Sequence, residues 1–176
     1  MMKSDTALLI IDVQVNMFDE AMPVYDGDRL LQTVTGLIQQ ARSAGVPVIF
    51  VRNNGSDHDP DKPGTPGWEI HPALKPLADE PIIDKFSSNS FHETNLHQML
   101  QAQEVYKLII AGLQTEYCIH ATCQGAVDLG YDVIIIADGH STFDMEDMTA
   151  PQAIKHYNQK FSAVTTTAKA NEISFS

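Results

Sequence analysis

Apolar residues along the chain fall into two kinds of stretch, short continuous runs and longer stretches with helical spacing. Most of the short runs are rich in β-branched residues and do not alternate with polar ones. This pattern is typical of strands buried on both faces of a parallel sheet. The six runs lie at Ala7–Ile11, Val46–Val51, Pro81–Ile83, Leu108–Ala111, Val133–Ala137 and Ser162–Thr166. We therefore predict six short strands.

Helical spacing of apolar residues predicts four helices between and after these runs. The clearest lies over residues 30–41, and Gly45 ends it. A second helix is predicted to open at Ser90, because Ser90 and Glu93 have the spacing of a capping box, and to continue through Leu100. The other two are predicted over residues 116–129 and 149–157.

Strands that alternate with helices in this way predict an α/β fold whose parallel sheet is covered on both faces. The 176 residues fit one domain, 1–176, with a core that needs no disulfide or metal for stability. One connection is unusual, since residues 53–80 contain five prolines, three glycines and few apolar residues. A loop of this length either covers a substrate or is a surface excursion with a short helix.

The net charge of the chain argues against one class of binding partner, nucleic acids. Acidic residues outnumber basic ones by 23 to 11, which gives a formal net charge of −12 and no basic stripe for nucleic acid. The apolar run Ala7–Ile11 is too short for a signal sequence or a membrane span, and Asp12 closes it. We therefore expect a cytoplasmic protein with reduced thiols and neither a nucleic-acid nor a membrane partner.

Both cysteines of the chain lie in the stretch GLQTEYCIHATC, at positions 118 and 123. Their C-x4-C spacing, without a second cysteine pair, is neither a zinc pattern nor a C-x-x-C redox motif. A disulfide between them is not expected in a reducing compartment. The remaining alternatives are a nucleophile beside a packing residue, or two packing residues.

The helix that follows distinguishes the two thiols. Thr115 is a good N-cap and Glu116 suits the first turn, so Cys118 falls at the third helical position near the positive end of the helix dipole. That location favours the reactive thiolate. Cys123 shares a helix face with Ile119, Ala126 and Val127. Cys118 is therefore the candidate nucleophile, and Cys123 is predicted to pack in the core.

Polar residues at the carboxyl ends of the strands are further candidates, because parallel α/β sheets bind ligands there. Asp12 follows the first strand and Lys85 the third. Taken singly, Asp12 could be a cap and Lys85 could mark the solvent boundary. If the strand order reverses between the first and fourth strands, Asp12 and Cys118 lie on either side of one crevice. His140, near the end of the fifth strand, is the rival base.

Three segments of the chain resemble the isochorismatase-like cysteine hydrolases. They are IIDVQVNMF, DKFSSNSFHETNLHQML and LIIAGLQTEYCIHATCQGAVDLGYDVIIIAD. The resemblance extends from Leu8 to Asp138, and its motif G-x-x-T-x-x-C before a helix ending in D-x-G-Y-x-V is specific. It implies a Rossmann-like three-layer sandwich with a six-stranded parallel sheet in the order 3-2-1-4-5-6.

The resemblance also implies the site residues. Asp12, Lys85 and Cys118 would form a catalytic triad, with Lys85 reaching inward over the second strand, roughly 10 Å at the usual strand spacing. The peptide bond Leu113–Gln114 would be cis although neither residue is proline. The backbone N–H groups of Gln114 and Cys118 would form an oxyanion hole. Candidate substrate contacts are Gln14, Phe18, Tyr117 and Trp68. Trp68 could instead pack against the domain.

The predicted activity is hydrolysis of a C–N bond in a small amide or carbamoyl compound through a thioester on Cys118, with a small-molecule substrate and no cofactor. Isochorismatase-type vinyl ether hydrolysis, which does not depend on a cysteine, is an alternative. Metal-dependent nicotinamidase-like hydrolysis is another, but Asp59 stands where a metal-binding histidine is expected. Asp57 and His71 remain as an incomplete set of ligands, so no metal is expected.

Two other classes stay open, a catalytically silent binding protein with this fold and a nucleotide-binding protein. The intact triad argues against the first. The lack of both G-x-G-x-x-G and G-x-x-x-x-G-K-[ST] argues against the second. The resemblance further implies a homo-oligomer, a dimer or larger.

Overall fold

Six parallel strands form a single sheet in the order β3-β2-β1-β4-β5-β6 in a computed structural model that describes residues 3–175. The strands are β1 (Thr6–Ile11), β2 (Val48–Asn53), β3 (Ile82–Lys85), β4 (Lys107–Leu113), β5 (Asp132–Ser141) and β6 (Thr166–Ala168). All six residues of β1 are buried, which explains why its sequence is continuously apolar. The predicted fold class and strand order are confirmed.

Helices cover both faces of this sheet. They are α1 (Gly27–Ser43), α2 (Leu96–Ala102), α3 (His120–Asp128) and α4 (Ala150–Val164). On one face, Leu30, Val34 and Leu37 of α1 pack against Leu8 and Ile10 of β1. On the other face, buried residues of α2, α3 and α4 pack against alternate residues of the same strands: Leu96, Leu100, Cys123, Ala126 and Phe161 against Ala7, Leu9 and Ile11. The two cores give the three-layer arrangement.

The second helix begins later than the sequence predicted. It starts at Leu96, and the capping box of Ser90 and Glu93 is wrong. The backbone N–H of Ser90 donates to Thr122 Oγ1 over 3.0 Å, and the two hydroxyls lie 2.8 Å apart. Ser90 therefore ties its loop to α3, a tertiary contact that local spacing cannot predict.

The fourth helix is longer than predicted, and the sixth strand was placed too early. Thr149 and Gln152 form a capping box at the start of α4, which continues to Val164. Residues 162–164 are therefore helical, and β6 begins at Thr166.

Residues 54–81 contain no strand. They include two short 3-10 helices, Pro66–Trp68 and Pro72–Leu74, and one isolated bridge between Gln14 and Ile70. Among the described residues, no helix combines the length and the apolar character needed to cross a membrane.

Candidate active site

The carboxyl ends of β1 and β4 lie side by side, and the helices that follow them, α1 and α3, pack on opposite faces of the sheet. Gly112, near the end of β4, pairs with Ile11 and has a φ of +132°. A Cβ at Gly112 would collide with the backbone oxygen of Ile11. Only glycine allows the two strand ends to approach this closely, and a crevice for ligands opens beyond them.

Asp12 is the first residue beyond β1 and is 1% exposed. Its backbone has a φ of +53°, and its N–H donates to the carbonyl of Val51 over 2.9 Å. Burial raises the pKa of Asp12, although the charge of Lys85 and a hydrogen bond with Cys118 act in the opposite direction. Its Oδ1 is buried and has no hydrogen-bond partner among the described residues.

Lys85 is the last residue of β3 and is fully buried. Its Nζ lies 3.0 Å from Asp12 Oδ2, 3.2 Å from Cys118 Sγ and 3.1 Å from Asn53 Oδ1. Burial acts to lower the pKa of Lys85, but Asp12 and Cys118 outweigh it, so the net pKa is raised. Lys85 therefore spans β2 and brings an ammonium group between the candidate base and the candidate nucleophile.

Cys118 lies in a single π-helical turn, Thr115–Ile119, that precedes α3. It is the fourth residue of this turn rather than the third, and Thr115 is not its N-cap. Burial, reinforced by Asp12, raises the pKa of the Cys118 thiol to about 12, although Lys85 acts to lower it. The expectation that the helix N-terminus favours the thiolate is therefore wrong for the resting site, because burial outweighs it. Cys123 is 2% exposed and packs in the core beside Ile119, as predicted.

The peptide bond between Leu113 and Gln114 is cis. The carbonyl of Gln114 accepts the N–H groups of Tyr117 and Ile119, so these two donors are used within the turn. Gln114 and Cys118 both line the cavity described below. The oxyanion hole from their N–H groups stays a prediction.

A cavity of about 590 Å³ opens at this edge of the sheet. Three of its lining residues carry carboxylates, and others are apolar or aromatic. The carboxylates are those of Asp12, Asp19 and Asp61. The apolar and aromatic residues include Met17, Met22, Tyr117 and Phe143. In the described part of the chain, no lysine, arginine or histidine lines this cavity.

Two polar residues of the site were missed from the sequence. Asn53, the last residue of β2, accepts from Lys85 Nζ through Oδ1 and donates from Nδ2 to Asp61 Oδ2 over 2.6 Å. Asp61 lies in the long loop and is 8% exposed. Asn53 could have been found, because it ends a strand at the same edge as Asp12 and Lys85. Asp61 carries no such signal. The long loop contributes Pro60 and Asp61 to the cavity wall.

Of the four predicted substrate contacts, only Tyr117 lines the cavity. The buried side chain of Gln14 donates to the carbonyls of Asn53 and Trp68 and accepts the N–H of Asn53, so it joins β2 to the long loop. Phe18 packs edge-on against His71 with ring centroids 4.8 Å apart.

Trp68 also lies outside the cavity lining. The guanidinium of Arg52 lies 3.5 Å from the centroid of its ring, and its indole N–H donates to Asn54 Oδ1 over 2.5 Å. The structure therefore supports the alternative in which Trp68 packs against the domain.

His140, the rival base, does not line the cavity that contains Cys118. Asn158 Nδ2 donates to the carbonyl of Ala137, so Asn158 Oδ1 accepts the N–H of His140 Nε2 at 2.8 Å. His140 Nδ1 then accepts the hydroxyl of Thr115 at 2.8 Å. Burial lowers the pKa of His140 to about 4. A neutral His140 therefore holds the turn of Cys118 in place.

The residues considered as metal ligands are engaged elsewhere. Asp57 pairs with Lys62 at 3.2 Å, and Asp59 accepts the N–H of Ser56 at 2.7 Å. His71 Nδ1 accepts the N–H of Ala73 at 3.2 Å. Within residues 3–175, no group of three or more His, Cys, Asp or Glu side chains is arranged to hold a metal ion.

Known proteins are similar to this chain in sequence and in fold. The family model described as Isochorismatase domain matches residues 6–169. Streptothricin hydrolase from Streptomyces noursei is 36% identical over 139 residues, which are 79% of this chain and 50% of that protein. The chain thus spans about half the length of that relative.

Two further proteins match over nearly their whole length. The isochorismatase family protein YddQ of Bacillus subtilis (strain 168) is 34% identical, over 86% of this chain and 87% of that one. The protein in the crystal structure of a putative isochorismatase hydrolase from Oleispira antarctica is 32% identical in sequence. Its fold superposes with a TM-score of 0.91, and the match covers 98% of this chain and 97% of that one.

Proposed function

The chain belongs to the isochorismatase family of hydrolases, and we propose that it cleaves a C–N bond in a small amide or carbamoyl compound through a thioester on Cys118. The observation that carries the proposal is the position of Lys85. Its Nζ contacts both Asp12 at 3.0 Å and Cys118 at 3.2 Å inside a buried cluster at the base of a ligand-sized cavity.

In the resting site, Asp12 is a carboxylate paired with the Lys85 ammonium, and Cys118 is a thiol, since its pKa is raised to about 12. A thiol is a weak nucleophile, so attack needs a base that removes its proton. Asp12 takes that proton as Sγ attacks the carbonyl carbon of the substrate. Lys85 stabilises the negative charge on sulfur, and the N–H groups of Gln114 and Cys118 stabilise the oxyanion.

The tetrahedral intermediate then breaks down. Asp12 returns the proton to the departing nitrogen, the C–N bond breaks, and the acyl group remains on Cys118 as a thioester. Asp12 next takes a proton from water, whose oxygen attacks the thioester carbonyl. The C–S bond then breaks, Asp12 gives its proton to the sulfur of Cys118, and the carboxylic acid leaves with the thiol restored. Asp12 thus acts first as a base and then as an acid in each half of the reaction.

The charge of the cavity supports this activity over vinyl ether hydrolysis of isochorismate, which carries two carboxylates. Three carboxylates line the cavity. The carboxylate of Asp12 is paired with Lys85, whereas those of Asp19 and Asp61 have no cationic partner among the described residues. A dianion would face like charges there.

Intact mass after exposure to a panel of small amides and a mild acid quench tests the proposal. An acyl adduct on Cys118 is expected with a turned-over amide, and the Cys118→Ala protein should form none. Turnover of an amide by Cys118→Ala at the wild-type rate would show that the thioester route is wrong. The absence of both an adduct and turnover across the panel would count against amide hydrolysis.

A further inference from the structure

Asp61 places a second carboxylate close to the reacting groups, and nothing in the proposed mechanism uses it. It is 8% exposed and lines the cavity. Among the described residues, no ammonium, guanidinium or imidazolium group lies within ion-pair distance of it, and its carboxylate has one donor, the amide of Asn53 at 2.6 Å. A nearly buried carboxylate without a cationic partner is costly unless the ligand supplies the positive charge.

The loop is shaped to hold Asp61 at this point. A Cβ on Gly55 would collide with Asp61 Oδ1, so the side chain occupies space that only glycine leaves free. The N–H of Gly55 donates to the backbone carbonyl of Asp61 over 3.0 Å, and this closes the loop. Asn53 fixes the carboxylate from the other side.

The position of Asn53 shows how near Asp61 is to the chemistry. One Asn53 side chain donates to Asp61 and accepts from Lys85 Nζ, which itself contacts Cys118 Sγ. Burial is the main cause of the raised pKa of Asp12, and the charge of Asp61 adds to it. Asp61 and Cys118 also line the same cavity, so one small ligand in it can contact both.

The rest of the lining suits a cation with an apolar body. Lys85 is neutralised by Asp12, so the cavity keeps the negative charge of Asp61 and of Asp19 at the exposed rim. Tyr117 and Phe143 offer aromatic faces, which attract ammonium and guanidinium groups.

We propose that Asp61 is a specificity-determining residue that selects amides carrying a protonated amine or guanidinium a few bonds from the scissile carbonyl. This rests on the proposed function for the amide bond, but the charge selectivity of the cavity can be measured without it.

The first experiment uses thiol reagents of different charge. Aminoethyl and sulfonatoethyl methanethiosulfonate each form a disulfide with Cys118 and release methanesulfinate, and intact mass gives the rate. Each rate is divided by the rate of the same reagent with β-mercaptoethanol, which corrects for the different intrinsic reactivities of the two reagents. Loss of labelling in Cys118→Ala shows that Cys118 is the residue labelled. The cationic reagent should be favoured by about tenfold or more, as expected for one partly buried charge interaction.

Two matched variants test whether Asp61 causes the preference for the cationic reagent. Asp61→Asn should remove most of the preference, while Asp57→Asn should keep it, because Asp57 lies in the same loop but is exposed and outside the cavity lining. The preference should also shrink at high salt. A normalised ratio near one in the wild-type protein would overturn the proposal even if Asp61→Asn failed to fold. An equal loss in both variants would also overturn it.

The second experiment uses three amides of similar shape: β-alaninamide is cationic, butanamide is neutral and succinamate is anionic. Ammonia release should give the highest kcat/KM for the cation and the lowest for the anion, and Asp61→Asn should close the gap between cation and neutral amide. Turnover that depends on Cys118 but not on charge would refute the role of Asp61 and leave the proposed function intact. Charge-selective labelling without turnover of any amide would support Asp61 and contradict the proposed function.

Discussion

Lys85 Nζ lies 3.0 Å from Asp12 Oδ2, although strand β2 separates the strands that carry these two residues. Both side chains are at most 1% exposed. A buried ion pair gains little net stability, because removing two charges from water offsets their attraction. Its value here is chemical, since it keeps a carboxylate and an ammonium group beside a thiol.

We expect Asp12→Asn to lose activity by about 10⁴-fold or more, the top of the range for removal of a general base, since Asp12 serves both halves of the reaction. Lys85→Ala should be comparably severe. The double variant Asp12→Asn with Cys118→Ala should be no slower than Cys118→Ala alone, because the three residues act as a unit. Measured kcat/KM values test this. If Asp12→Asn retains more than about a tenth of wild-type activity, well above the general-base range, Asp12 is not the base.

The same variant should make the thiolate easier to form. Burial and then Asp12 raise the pKa of Cys118, so replacing Asp12 by asparagine removes a negative charge and should lower that pKa. The ultraviolet absorbance of the thiolate, measured against pH and corrected with Cys118→Ala, should rise at lower pH in Asp12→Asn than in the wild type. A titration that is unchanged or moves to higher pH would contradict the assigned contact between Asp12 and Cys118.

Substitutions of the two cysteines should have different effects, on activity at Cys118 and on stability at Cys123. Cys118→Ala and Cys118→Ser should abolish turnover and leave the fold intact. Cys123→Ala should leave turnover but lower the free energy of unfolding by about 1 kcal/mol, because it opens a small cavity in the core. Urea denaturation and activity assays on the same preparations check both halves. Loss of activity at unchanged stability in Cys123→Ala would reverse the assignment.

Much of the site follows from the sequence because of one geometric rule. Asp12, Lys85 and Cys118 each follow or end a strand on the carboxyl side, and the strand order gathers those ends at one edge. Asn53 obeys the same rule and was overlooked, because an amide has no titration or nucleophilic chemistry of its own. Asp61 could not be found, since its place depends on how an irregular loop folds over the sheet.

Other differences arise where contacts distant in sequence outweigh local ones. The helix N-terminus argues for a thiolate at Cys118, but burial by the surrounding layers raises the pKa. The spacing of Ser90 and Glu93 predicts a helix cap, but the Ser90 hydroxyl forms a hydrogen bond with the hydroxyl of Thr122 instead. Local patterns therefore predicted which elements exist better than where they begin.

Two glycines offer a matched test of the close approach between β1 and β4. Gly112→Ala should lower the free energy of unfolding by about 1–3 kcal/mol or more, because its φ is +132° and a Cβ would meet the Ile11 carbonyl. Gly36→Ala, in the middle of α1 with open space around it, should raise it by about 0.5–1 kcal/mol. Chemical denaturation of both variants gives the comparison. Equal effects would show that the strand ends do not need glycine.

Self-association is expected from the resemblance and from the surface. Met22, Phe86 and Tyr117 are 57–76% exposed, and Met22 and Tyr117 line the cavity. A second subunit would cover such apolar side chains. Light scattering at micromolar protein should give at least twice the 19.4 kDa of one chain. A single species at the monomer mass would end this prediction.

The hydrogen-bond chain from Thr115 through His140 to Asn158 sets an order of events during synthesis. Asp12, Lys85 and Cys118 all precede residue 120, so a growing polypeptide that has passed β4 and the turn already carries every proposed catalytic group. The acceptor for the His140 N–H, however, lies on α4. Until that helix has emerged and docked, the His140 N–H lacks this acceptor. The nascent chain therefore contains all three proposed catalytic residues about 40 residues before Asn158, the last member of the hydrogen-bond chain that supports the turn of Cys118, has been added.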